Sequence, residues 1–299
     1  MNACTSGATR RVTPSVSSSS GGNGMVPVAH RVAGRRVDVE ARSVGGAHEV
    51  VTIFVEPLVP EAPETPAPGQ FHMLWLPAVG EVPVSVSGFD GGVLSFTIAA
   101  VGATTEALCE APIGSLVGLR GPFGNGWSLT DPGRDLVVVA GGLGLAPLRM
   151  LVLAEATTRS RSASGRLVVV VGARSPAELL FADELERLTG HAELALTVDH
   201  AGSSWSGSIG LVTEPLRRIR VEPGARARIC GPEVMMRVTA RALVDAGLDP
   251  AAVEVSLERS MACAVAHCGR CQVGPVMLCR DGPVLSWAEA GPLMEVRRW

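Results

Sequence analysis

Two rhythms divide the chain. Between Arg31 and about Arg120, apolar and polar residues alternate in short runs: RRVDVEARS, VVTIFVEP, FHMLWLP, VPVSVSG and GVLSFTIAAV, set apart by Gly and Pro. Alternation with period two gives each strand one inward face. About six such runs at close spacing predict a small antiparallel barrel or sandwich. ATTEALCEA, from Ala103, reads as a helix that plugs one end. From Asp135 the rhythm changes. DLVVVAGG is continuously apolar and bounded by glycine, as a strand buried on both faces must be. LAPLRMLVLAEATTR follows as an amphipathic helix with Pro147 near its first turn. Strand RLVVVVGAR, helix PAELLFADELERL, strand AELALTVDH, strand RARICGP and helix EVMMRVTARALVDAG continue the alternation, which predicts a doubly wound α/β domain. From about Val253 the chain is short-looped and cysteine-rich.

Residues 1–24 are rich in Ser, Gly and Thr and carry too little apolar surface to offset ordering, so a disordered tail is expected. The composition step at Met25 makes that residue a candidate start of the folded, or even the translated, protein. The expected organisation is a tail 1–24, a barrel 25–129, an α/β domain 130–250 and a small module 251–299, an α+β multidomain fold. Composition adds exclusions. A net charge of −3 over 299 residues gives no reason to expect nucleic acid or an acidic membrane surface. The chain has no lysine and no tyrosine, so every cation other than histidine is arginine. The most apolar run, Asp135 to Ala156, is broken by Gly141, Gly142, Gly144, Pro147 and Arg149 and does not read as a membrane span. Arg10-Arg11 is followed by VTPSVSSSSGGNG, which lacks the apolar core of an export signal. A cytoplasmic, reducing location is therefore expected, which disfavours disulfides.

Four stretches can carry chemistry. In VAGGLGLAPLRML, Gly142 and Gly144 sit between a strand and a helix, where bare backbone and a helix N-terminus suit a diphosphate. Pro147 stands where a third glycine would complete the dinucleotide fingerprint, so a tight strand-to-helix turn is an equal reading. In GPFGNGW, Gly121 and Gly124 belong to a loop that can press amides on a phosphate or simply turn between domains. Cys230 ends strand RARIC, where open α/β sheets bind ligands; a buried strand-end cysteine is the plain alternative. The fourth, CAVAHCGRCQVGPVMLC, holds four of the seven cysteines, Cys263, Cys268, Cys271 and Cys279, spaced C-x4-C-x2-C-x7-C. The x4 and x2 gaps match a plant-type [2Fe–2S] loop. Small residues Ala264, Ala266 and Gly269 would let backbone N–H groups turn toward the sulfurs. Zinc, which usually takes two close cysteine pairs, is the alternative. His267 lies inside the loop and reads as a solvent-facing neighbour.

Taken in order, PGQFHMLWLPAVGEVPVSVSG, GPFGNGW, AGGLGLAPLR, GARSPAELLF, CGPEVMM and SLERSMACAVAHCGRCQVGPVMLCRDGP resemble the blocks of the ferredoxin–NADP reductase superfamily, from Val26 to Trp287. The closest resemblance is to the gamma (diaphorase) subunits of cytoplasmic bidirectional NiFe hydrogenases, or sulfhydrogenases. The corresponding subunit of anaerobic sulfite reductase and the electron-transfer subunit of dihydroorotate dehydrogenase are similar. The resemblance implies a flavin-binding barrel, a nicotinamide-nucleotide domain and a [2Fe–2S] module. It places Val84, Ser85, Val86 and Ser87 along the isoalloxazine and ribityl side of FAD, and Gly102, Thr105, Gly121 and Gly124 at its diphosphate. Gly142, Gly144 and Pro147 would hold the diphosphate of NAD(P)H. Arg174 and Ser175 would lie near the adenosine ribose, where arginine suits a 2′-phosphate and points toward NADP(H). Cys230 would stand beside the nicotinamide, and the four loop cysteines would bind the cluster. The superfamily motif R-x-Y-S has Val82 and Val84 at its arginine and aromatic positions here. Trp75 and Trp127 are the remaining candidates for stacking on the flavin, each weighed against a core position.

The resemblance implies an FAD-dependent NAD(P)H oxidoreductase subunit. It would move electrons between NAD(P)H, FAD and a [2Fe–2S] cluster, to or from the iron–sulfur and catalytic subunits of a hydrogenase-like hetero-oligomer. The same chemistry could serve sulfite reductase or dihydroorotate dehydrogenase. A zinc-stabilised nucleotide-binding regulatory module is the expectation of a different class.

Overall fold

A computed structural model describes residues 27–39, 49–58, 64–162 and 165–295. The expected tail 1–24 and Met25 lie outside the described residues. Six strands, β1 (Val28–Val39), β2 (Val50–Pro57), β3 (Phe71–Leu76), β4 (Gly80–Asp90), β5 (Val93–Ala99) and β6 (Leu116–Phe123), close into a barrel in the order β1-β2-β5-β4-β3-β6. Every pairing is antiparallel. Helix α1 (Ala103–Glu110) precedes β6. The alternation in the sequence is what fills the barrel: Val51, Ile53 and Val55 of β2 pack against Leu94, Phe96 and Ile98 of β5, and α1 contributes Leu108 and Cys109 to the same core.

Two histidines are buried within the barrel wall, His30 on β1 and His72 on β3. The His72 ring stands edge-on to Phe96, with centroids 5.7 Å apart. His72 Nδ1 and His30 Nε2 have no hydrogen-bond partner among the described residues. Burial, with the nearby His30 as a lesser cause, pushes His72 down from 6.5 to about 4. Its imidazole is neutral in the folded state and takes up a proton more readily in the unfolded one. Stability is therefore intact above the unfolded value and falls between pH 6.5 and about 4, by about 3 kcal/mol from this residue. A His72→Leu variant is expected to unfold with a flatter pH dependence over that window. Urea melts at the two ends check it; equal slopes for the two proteins would refute the assignment.

The α/β region runs β7 (Leu136–Gly141), α2 (Leu145–Ser162), β8 (Leu167–Ala173), α3 (Ala182–Arg187), β9 (Glu193–Val198), β10 (Ser208–Ile209), α4 (Thr213–Leu216), β11 (Arg226–Cys230), α5 (Glu233–Asp245) and β12 (Val253–Ser256). Then come β13 (Gln272–Val273), β14 (Val276–Met277), α6 (Leu278–Asp281), β15 (Val284–Ser286) and α7 (Trp287–Glu295). One sheet has the order β10-β9-β8-β7-β11-β12-β15. It is parallel except for β15, which pairs antiparallel with β12. All of β7 is buried because both faces are covered. Val137 and Val139 face α5, whereas Leu136, Val138 and Ala140 face α2.

The stretch PAELLFADELERL differs from the single helix its sequence predicts. A turn at Pro176–Glu178 is followed by Leu179, Leu180 and Phe181, all buried. Phe181 takes a left-handed conformation, φ +54°, and only then does α3 begin. Three consecutive apolar side chains cannot share one helix face, so the chain bends to bury all three. The region after residue 250 is joined to the sheet: β12 and β15 are its edge, and the cysteine stretch loops out between them. Among the described residues no helix is long and apolar enough to cross a membrane.

Candidate functional site

The carboxyl ends of β7, β8, β9 and β11 open onto a crevice of about 690 Å³. Gly141–Gly144, Ala173, Asp199, Gly231 and Pro232 line it from the sheet, and Val50 and Ala99 close it from the barrel. In open α/β sheets this end binds ligands. The two glycines of the β7–α2 turn act differently. Gly142 has φ +52° and open space where a side chain would project, so a ligand can reach the backbone. A Cβ at Gly144 would lie 2.3 Å from the carbonyl oxygen of Cys230, so that glycine lets the turn pack on β11. Pro147 lies in the first turn of α2 and off the crevice wall; its carbonyl accepts the Trp127 indole N–H at 3.0 Å. Trp127 is thus buried between the domains, whereas Trp75 is exposed on the barrel surface.

Cys230 ends β11 as expected, but its thiol is buried in the core with Trp127 and Leu148 rather than on the crevice wall. Gly231 and Pro232 take the wall position. Burial pushes the thiol far above its ordinary range, with the nearby Glu258 carboxylate a smaller contribution, so it is not a thiolate.

Arg174 and Ser175 stand at the end of β8, and both are engaged by Glu178. Arg174 Nε donates to Glu178 Oε2 at 2.8 Å and Ser175 Oγ donates to Oε1 at 3.3 Å. Glu178 and Asp199 both line the crevice, giving it two carboxylates at the ends of β8 and β9. Neither carboxylate stands in a motif that singles it out. Signals for them exist all the same. Asp199 directly follows β9, at the carboxyl end of a strand as Cys230 does on β11, and Glu178 lies four residues after Arg174, the spacing of a local ion pair.

The residues expected around a flavin divide. Val86 and Ser87 on β4 are fully buried. Val84 and Val86 pack on the barrel core, and Ser87 Oγ accepts from Thr97 and donates to the Ser95 carbonyl. The Val86 and Ser87 side chains are spent on the barrel, which leaves the β4 backbone and the half-buried Val84 and Ser85. Gly102 is open on its α-carbon side, while the Thr105 hydroxyl caps α1 by accepting from the Gly102 N–H. Gly121 and Gly124 face protein. A Cβ at Gly121 would meet the His72 ring at 2.9 Å, and one at Gly124 would meet Pro283 at 2.6 Å. The next residue, Asn125, binds the backbone of Val284 through both ends of its amide. In GPFGNGW, glycine is required at 124 for packing on the 282–284 turn and at 121 for packing on His72.

The cysteine loop is shaped around its sulfurs. Ala264 and Ala266 hold φ +61° and +59°, and Gly269 holds +74°. Alanine in that region costs about 1–2 kcal/mol. The result is that the N–H groups of Val265, His267 and Cys268 point at Cys263 Sγ from 3.3 to 3.5 Å, and that of Ala266 at Cys279 Sγ at 3.1 Å. Desolvation opposes ionisation of Cys263, yet these donors bring its thiol down to about 6. Cys271 and Cys279 sulfurs lie 3.3 Å apart, buried, while Cys268 and His267 are exposed. Among the described residues no group of three or more His, Cys, Asp and Glu side chains is arranged to hold a metal ion. Buried Arg120 ties the loop to the barrel. It grips Glu81 with two hydrogen bonds of 2.7 Å and donates to the carbonyls of Cys263 and Ala262 at 3.1 and 3.2 Å.

Known proteins match this arrangement. Residues 138–241 match the oxidoreductase NAD-binding domain. Sulfhydrogenase 2 subunit gamma of Pyrococcus furiosus is 34% identical over 75% of this chain and 84% of its own. A probable dihydroorotate dehydrogenase B (NAD(+)) electron transfer subunit of Methanocella arvoryzae is 35% identical over 73% of this chain and 78% of its own. The solved structure of an NADH-dependent reduced ferredoxin–NADP oxidoreductase superposes with a TM-score of 0.70, covering 90% of this chain and 94% of that one at 24% identity. With its closed barrel, its parallel nucleotide-type sheet and relatives at this identity over most of their length, the chain belongs to the ferredoxin–NADP reductase-like family that includes sulfhydrogenase gamma subunits and dihydroorotate dehydrogenase electron transfer subunits.

Proposed function

We propose that this chain is the NADH-oxidising, FAD-binding subunit of a sulfhydrogenase-like complex, passing electrons between nicotinamide and a partner subunit through a [2Fe–2S] cluster. The observation that carries the reading is the crevice. Its floor is the carboxyl end of a parallel sheet and its far wall is the barrel, so a nucleotide bound there is presented to whatever the barrel holds. Gly142 and the start of α2 would receive the diphosphate. Glu178 and Asp199 would accept the adenosine ribose hydroxyls, which favours NADH over NADPH. The β4 backbone, with Ser85 and the open face of Gly102, would hold FAD.

The loop suits a thiolate-bound cluster. It carries four cysteines at the plant-type x4 and x2 gaps, and N–H groups already point at two of the sulfurs. Cys263, Cys268, Cys271 and Cys279 would be the ligands. When bound, FAD supplies hydride acceptance and conversion of an electron pair into single electrons, and the cluster supplies one-electron carriage. The chain's own part is to orient the nicotinamide, exclude water from the crevice and keep the loop against the barrel through Arg120. Cys268 and His267 are exposed, so the loop is the face offered to a partner.

Absorption and EPR spectroscopy test the reading. The purified protein is expected to show flavin bands over a broad iron–sulfur background, to bleach with NADH under anaerobic conditions and to give an EPR signal when reduced. A colourless protein carrying one zinc would overturn it.

A further inference from the structure

Arg149, on α2, belongs to the nucleotide side of the molecule but reaches across to the barrel. Its Nε and Nη2 donate to the two oxygens of Glu184 on α3, each at 2.7 Å, and its Nη1 donates to the carbonyl of Ser87 on β4 at 2.7 Å. Its guanidinium also lies 4.9 Å from the centre of the Phe181 ring, and Arg36 from β1 approaches the same ring at 5.3 Å. Arg36 Nη1 is 3.9 Å from Glu184 as well. Thus two barrel strands and two elements of the nucleotide side meet at one aromatic ring and one carboxylate. Phe181 reaches this place through its left-handed backbone. Gly88 makes the approach possible, since a Cβ there would lie 2.6 Å from Arg149 Nη1.

We infer that Arg149 is a positioning residue: it locks β4 to α2 and so fixes the angle at which the nicotinamide crevice faces the barrel. The inference rests on the proposed function, in which β4 backs the flavin. Three of the guanidinium's nitrogens are held by fixed acceptors, two on a carboxylate and one on a backbone carbonyl, which leaves the side chain no alternative rotamer. Interfaces between domains of one chain permit relative motion unless something stops it. Hydride transfer needs the two rings in near-contact, and a misplacement of about 1 Å costs roughly 100-fold in rate. Neither Arg149 nor Ser87 lines the crevice, so loss of the clasp should change rate more than binding.

The test is anaerobic stopped-flow reduction of the FAD-loaded protein by NADH. Arg149→Met removes the clasp. Gly88→Ala displaces the guanidinium while keeping its charge; the other close neighbour, the Ser95 side chain at 3.1 Å, has only to shift slightly. Both variants are expected to lower the limiting rate of flavin bleaching about 10–100-fold, with NADH affinity changed by less than about threefold. The long-wavelength absorption of stacked nicotinamide and reduced flavin should fade in both. Arg149→Lys keeps charge but cannot bridge both acceptors, and should fall between. If Arg149→Met fails to fold or retain FAD, Gly88→Ala decides. Wild-type limiting rates in a FAD-loaded Gly88→Ala protein overturn the inference. A wild-type protein that binds FAD yet is not bleached by NADH overturns the functional reading, and the inference with it.

Discussion

A Cys271→Ser protein is expected to keep FAD and reduce a two-electron dye with NADH at close to the wild-type rate, yet to deliver almost nothing to a one-electron partner. Cys271 is buried, and its sulfur lies 3.3 Å from that of Cys279. Serine is a poor ligand for iron, and among the described residues the site has no spare cysteine nearby: Cys109 and Cys230 are in the barrel and sheet cores. Losing a mere supporting partner of a metal ligand costs about 10–100-fold in affinity, so losing a ligand should cost at least about 100-fold in cluster content. Iron analysis and the EPR signal of the reduced protein report that loss directly. Dye activity stays because the crevice and the β4 face do not pass through the loop. An equal fall in dye and partner activity would show that the cluster is not downstream of the flavin. Full iron content in the variant would remove Cys271 from the ligand set.

The second large effect concerns nucleotide choice. Arginine after β8 suggests NADPH, but the structure gives that arginine to Glu178. A 2′-phosphate entering here would have to displace Glu178 from Arg174 and would meet Asp199 on the same wall. Glu178→Gln is therefore expected to raise kcat/KM for NADPH relative to NADH by about 10–100-fold, the range of one charge-assisted hydrogen bond gained and one repulsion relieved. Arg174→Ala alone should change the ratio little. Placed on top of Glu178→Gln, it should cancel the gain, because the two residues act as one unit. A Glu178→Gln protein with an unchanged ratio would place the ribose elsewhere.

What was legible in the sequence is what is local. The alternating runs and the apolar strand DLVVVAGG each announce their burial by their own periodicity, and the barrel and parallel sheet follow. The turn GGLG, too, carries its own geometry, since glycine at a strand-to-helix junction has few other uses. The small residues in the cysteine loop predicted inward N–H groups, and Ala264 and Ala266 adopt the left-handed conformations that this needs. What was not legible depends on distant partners. Cys230 is set among Trp127 and Leu148 by the packing of α2 and not by its place at a strand end. Gly121 and Gly124 look like phosphate-binding glycines, but their bare faces meet His72 and Pro283. Arg174 looks available until Glu178 is seen on the next turn. Trp75 follows four buried residues in β3 and still faces solvent, which no period-two pattern in FHMLWLP announces.

The edge of the sheet has one further consequence. The cysteine loop leaves from β12 and returns through β15; β12 covers the flank of β11, and β15 covers that of β12. The loop is therefore built into the nucleotide-binding unit's own seal. A chain shortened ahead of β12 would lose its four loop cysteines and also bare a row of unpaired backbone groups along β11, the kind of open edge that recruits other chains. Trimming the cysteine loop from such a protein would give a sticky one, whereas substituting its cysteines in place would leave the seal closed.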